Sequence, residues 1–132
     1  MATPKEYTAI KESILSRDPH DRGFCGPVAI SVLTGIQGAE VVHTVSHLRQ
    51  WRHGGGMRLR DILVALKSFG VSMELDGELS AKVKTPITAA RVLRKGSFLC
   101  VTRDHVFAVK NGRVIDWTDG RRHRVIGVYK II

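Results

Sequence analysis

At 132 residues the chain is long enough to bury one apolar core and too short to divide comfortably into two, so a single domain over residues 1–132 is expected. Apolar residues at 43% and charged residues at 25% exclude a disordered or fibrous chain, and two cysteines make no disulfide framework. The net charge of +9 would attract nucleic acid, anionic lipid or an acidic partner by its field. The opening MATPKEYTAI has no apolar signal core, and no run reaches the roughly 20 apolar residues of a membrane span. A cytoplasmic protein with no membrane partner is expected.

Residues 4–16 place Tyr7, Ile10, Ile14 and Leu15 on one face of an amphipathic helix. Asp18-Pro19-His20-Asp21-Arg22-Gly23 is turn chemistry. From Cys25 a second helix holds Pro27 in its first turn, where a missing N–H costs nothing. It shows an apolar face of Ala29, Val32, Leu33 and Ile36 and is closed by Gly35 and Gly38. A third helix, Ala39 to about Trp51, buries Val42, Val45 and Leu48. A fourth, Arg58–Phe69, buries Leu59, Ile62, Leu63 and Leu66 and stops at Gly70. Val71–Leu75 reads as a short strand, and Thr85-Pro86 opens a helix running to Lys95.

The pattern then changes to β-rich runs, Ser97–Thr102, His105–Lys110, Arg113–Trp117 and Val125–Ile131, expected to form an antiparallel sheet of successive hairpins. Helices first and strands last make an α+β domain. The Cys25 helix should pack on that sheet.

Cys25 stands where a turn enters a helix, so unpaired N–H groups and the positive end of the macrodipole favour its thiolate. Its own N–H could supply half of an oxyanion hole. The alternative is a small apolar residue packed beside Ala29 and Val32. Downstream, Asn111-Gly112 between two apolar runs signals a two-residue type I′ hairpin. In that register Phe107 faces Asp116, and His105 lies one diagonal step from Asp116 on the same face, about 7–8 Å between backbones. That face also carries Phe107, Val109 and Val114. A histidine and an aspartate pointing into an apolar surface are costly unless they bond each other. An aspartate accepting from one imidazole nitrogen leaves the other free to take a thiol proton. A purely structural pair, or a His105 facing solvent, is the competing reading.

Gly23-Phe24-Cys25-Gly26-Pro27-Val28-Ala29 is followed about eighty residues later by Asp104-His105-Val106-Phe107-Ala108-Val109 and then Asn111–Asp116. This succession resembles the papain-like cysteine peptidase superfamily, and most of all its small members, the bacteriocin-leader peptidase domains and phage-encoded thiol proteases. The resemblance spans roughly residues 18–131. It implies a papain-like fold and a catalytic triad of Cys25 as nucleophile, His105 as general base and Asp116 as the residue orienting the histidine. It also implies a peptide or protein substrate cleaved through a thioester, with no organic cofactor or metal, and a setting in a host cytoplasm or a virion. The family's oxyanion glutamine, six residues before the cysteine, falls here on Pro19. His20 or Arg22 could supply the second donor, and His20 is the candidate for oxyanion support; Asp21 could only accept.

Two rival classes remain: a catalytically inactive binding module on the same fold, for nucleic acid or a protein partner, and another thiol hydrolase or acyltransferase such as a cell-wall amidase. The basic residues concentrate at Arg49, Arg52, Arg58 and Arg60, at Arg91, Arg94 and Lys95, and at Arg121, Arg122 and Arg124. No nucleic-acid motif accompanies them, which favours a solvated basic surface over a dedicated site. Cys100, in SFLCVTR, reads as an inert buried thiol. His43 and His47 stand four apart on a helix, but Thr44 occupies the place of a zincin's glutamate, so a solvated face is expected. His123 belongs with the basic surface. His53-Gly54-Gly55-Gly56 lacks the Lys-Ser/Thr of a phosphate loop and could serve as a flexible lid. Trp117 is expected on the sheet face opposite Asp116, as core rather than a substrate platform.

Overall fold

Among the residues described in this computed structural model, 3–17, 20, 23–48 and 56–132, helices come first and most of the sheet comes last. Helix α1, Lys5–Arg17, buries Tyr7 and Ile14, two turns apart on one face, and sets Glu6 in its first turn and Arg17 in its last, as the macrodipole favours. Helix α2, Cys25–Thr34, is apolar on all sides, and residues 26–31 are all buried. It lies against α1, against α3 (Gly38–Val45), against α4 (Leu59–Ser68) and against strand β3 (Val106–Lys110). It ends at Gly35, whose N–H closes the last turn on the Ser31 carbonyl and whose left-handed φ of 78° then turns the chain out of the helix.

Gly38 does not close α2 but starts α3. A Cβ there would sit 2.8 Å from the Ile10 carbonyl oxygen and 2.9 Å from Ile14, so only glycine lets α3 approach α1 this closely. The expected helix to Trp51 ends earlier, at Val45, and passes into a 3₁₀ turn, Ser46–Leu48; the Ser46 hydroxyl donates back to the His43 carbonyl. Trp51, Arg49, Arg52 and the glycine run from His53 to Gly55 lie outside the described residues, as do Pro19, Asp21 and Arg22.

After α4 come β1, Met73–Leu75, and a helix that the sequence reading passed over, α5, Gly77–Lys82, capped by the Asp76 carboxylate accepting from the Leu79 N–H at 2.9 Å. Helix α6, Pro86–Val92, begins as expected, with Thr85 capping the Thr88 N–H and proline at its first position. It stops short of Lys95 because Gly96 is clamped to the later hairpin turn: its N–H donates to the Asn111 side chain and its carbonyl accepts from the Asn111 N–H.

Strands β2 (Ser97–Val101), β3 and β4 (Arg113–Ile115) form an antiparallel meander. Asn111 (φ 51°) and Gly112 (φ 78°) make the two-residue turn between β3 and β4, and Val109 pairs with Val114 as expected. The fourth β-run departs from successive hairpins. Strand β5, Gly127–Ile131, crosses back to pair with β2, β1 joins its far side, and the order is β1-β5-β2-β3-β4.

Alternation along β2 and β3 splits the core in two. Leu99, Val101, Val106 and Ala108 pack with Ala29, Ile30, Val41, Val45, Ile62 and Leu66 beneath α2–α4. Cys100, Phe107, Val109, Val114 and Val128 pack with Val83, Ala89 and Leu93 beneath α5 and α6. A sheet covered on both faces explains why β2 and β3 read as near-continuous apolar runs. Among the described residues no single helix is long and apolar enough to cross a membrane.

Candidate active site

Helix α2 begins at Cys25; the amide donors of its first turn have no intrahelical acceptor, and no side chain caps them. Pro27 removes one such donor, and Val28 is the first to bond back, to the Phe24 carbonyl at 2.9 Å. Cys25 is half-buried, whereas Cys100 is fully buried on β2 and burial pushes its thiol up to about 12. The two thiols therefore separate as expected, one at a helix mouth and one sealed in the core.

His105 precedes the first residue of β3, and Asp116 follows the last residue of β4. Both sit just beyond the hydrogen-bonded ladder. The β2–β3 turn holds His105 by its backbone, because the Thr102 N–H and hydroxyl both donate to the His105 carbonyl, at 2.8 and 3.1 Å. Its ring Nε2 lies 2.8 Å from Asp116 Oδ2. The same oxygen accepts from the Thr118 hydroxyl at 2.6 Å and from the Thr118 N–H at 3.2 Å. An oxygen already accepting two donors leaves Nε2 to donate the third, so Nδ1 is the nitrogen available to Cys25. Asp116 and Thr118 are buried, which fixes the carboxylate in place. Thr118, which holds the oxygen that holds His105, was not among the candidate residues; the Asp-Trp-Thr pattern of an Asx-type turn was its signal.

The His105 imidazole is pulled two ways. Burial works against its charged form, but the hydrogen bond to Asp116 and the nearby Cys25 sulfur, with their negative charges, outweigh that and raise it from 6.5 to about 10. Cys25 and His105 line two cavities together. One, of about 530 Å³, is walled by Thr3, Tyr7, Thr8, Lys11, Phe24, Asp104 and Trp117. The other, of about 350 Å³, is walled by Met57, Arg58, Leu59, Arg103 and the β2–β3 turn. The cysteine and histidine thus sit where two clefts from different parts of the molecule meet.

Trp117 is not on the opposite face from Asp116. The chain leaves the strand at Ile115 and turns, with Asp119 N–H on the Asp116 carbonyl and Arg121 N–H on that of Thr118, so strand alternation no longer applies. The indole swings over His105, ring centres 5.4 Å apart, with His123 edge-on at 5.1 Å and the Arg121 guanidinium 5.5 Å above it. It forms a wall of the first cleft, and His123 buttresses it. His20 is exposed in the turn before Cys25 and lines neither cleft. His43 is exposed and its Nδ1 lies 2.7 Å from Arg17. Among the described residues no group of three or more histidine, cysteine and acidic side chains is placed to hold a metal ion.

Tyr7, on α1, also escaped the sequence-based site. It is only 5% exposed, lines the first cleft beside Cys25, and is raised to about 12 by burial and by the charges of Asp116 and Cys25. No protein-family model, no curated protein and no solved structure matches the chain.

Proposed function

We propose that this chain is a papain-like cysteine hydrolase cleaving a peptide or isopeptide bond through Cys25, His105 and Asp116. The observation that supports it is that a helix-mouth thiol lines the same two clefts as an imidazole already fixed by a buried carboxylate at 2.8 Å. His105, held by Asp116 and Thr118, takes the Cys25 proton; the thiolate then attacks the substrate carbonyl. Amide donors at the α2 mouth face the developing oxyanion, and the His105 imidazolium returns its proton to the leaving amine. Water then cleaves the thioester, with His105 as base. Two clefts meeting at the nucleophile suit a substrate that runs on in both directions from the scissile bond. Arg58 and Arg103 beside one and Lys11 beside the other suit acidic groups in it.

Alkylation with iodoacetamide near pH 6, followed by mass mapping, tests this reading. Cys25 should label far faster than Cys100, and His105→Ala should slow Cys25 about 100-fold. Equal labelling of the two thiols, or no effect of the substitution, would reduce Cys25 to a packed residue. The net charge of +9 supports a second reading, a binding module for nucleic acid. It predicts steeply salt-dependent binding that survives Cys25→Ala.

A further inference from the structure

A thiolate attacking a carbonyl forms a C–S bond while the carbonyl π pair moves onto oxygen. That oxygen needs donors in place before the reaction. The Cys25 N–H can supply one. The side chain that follows from the resemblance, a glutamine six residues earlier, is Pro19 here and has no donor.

The first cleft offers other candidates. The Thr8 hydroxyl is turned back on the Pro4 carbonyl, and the Lys11 ammonium lies 5.4 Å above the Phe24 ring. Trp117 packs on the base. Tyr7 differs from all of these. Its ring is anchored among Ile14, Val28, Val42 and Ile115. Its hydroxyl makes no hydrogen bond among the described residues, yet no buried side-chain oxygen there is left without a partner. The hydroxyl must therefore reach open space, and the open space that Tyr7 lines is the cleft holding Cys25 and His105.

We infer that the Tyr7 hydroxyl is the second oxyanion donor, contributed by α1 in place of a residue from the turn before Cys25. The inference rests on the hydrolase reading. Tyr7 donates a hydrogen bond and transfers no proton; the proton released by the thiol stays on His105 until the leaving group takes it. A phenol raised to about 12 stays protonated, and so a donor, across the working range.

The test compares two reactions of the same thiol in wild type and in Tyr7→Phe, which keeps the packed ring. Iodoacetamide reacts at a tetrahedral carbon and forms no oxyanion, whereas p-nitrophenyl acetate acylates through one. Tyr7→Phe should leave Cys25 alkylation within about twofold and slow the acylation burst by about 100-fold. An unchanged ratio of acylation to alkylation in Tyr7→Phe overturns the inference alone, whether both rates hold or both fall together. A wild-type Cys25 that alkylates no faster than in His105→Ala overturns the hydrolase reading and the inference with it.

Discussion

At the scale of single residues, the proposed chemistry turns on His105, whose charged form is opposed by burial and favoured more strongly by Asp116 and Cys25. A folded value of about 10 against an ordinary 6.5 means that the folded state binds the imidazole proton more tightly than the unfolded chain. The resulting stabilisation is full below pH 6.5 and is lost as pH rises toward 10. Thermal unfolding of the wild type should therefore show Tm falling between pH 6.5 and 10, reflecting a loss of stability on the order of a few kcal/mol. His105→Gln should flatten that slope, and an equally steep slope in the variant would assign the loss to other groups. Thr118 belongs to the same unit, since its hydroxyl and N–H hold the oxygen that holds the imidazole.

Among the elements, α1 and α3 matter to the site although neither carries Cys25, His105 or Asp116. Helix α1 brings Tyr7 into the cleft, and its seat on α3 depends on Gly38. A methyl at Gly38 would meet the Ile10 carbonyl at 2.8 Å, and backbone cannot step aside as a side-chain tip can. Gly38→Ala should cost about 1–3 kcal/mol, read as a lowered denaturation midpoint, and should displace α1. A variant as stable as wild type would show that α1 shifts freely on α3. Gly26 plays a milder version of this part on α2, where an added Cβ would approach Met57 and Ile62 to 3.2 and 3.3 Å.

For the whole molecule, charge and layering are the relevant features. Arg58 and Arg103 rim the second cleft and make no ion pair among the described residues, and Asp104 supplies only one opposing charge. Anionic iodoacetate should gain on neutral iodoacetamide at Cys25. Arg58→Gln with Arg103→Gln should lower that ratio severalfold, as should raising salt to 1 M. Arg91→Gln with Arg94→Gln, which removes the same charge from residues lining neither cleft, should leave the ratio intact; an equal fall would mean that only the overall field acts.

Much of this arrangement is local and was readable from the residues in order. Apolar spacing and end signals marked the Cys25 helix with its Gly35 stop, and Asn111-Gly112 set the β3–β4 register, which brings His105 beside Asp116. Those features depend on neighbours within a few positions, where backbone stereochemistry and period decide. Tertiary packing alone decided the rest: β5 crossing to β2, α6 ending early because Gly96 is tied to Asn111, and Tyr7 arriving from a remote helix. Each of these is a contact between segments far apart in the chain. Its free energy comes from surfaces that meet only in the folded molecule, so no local pattern records it.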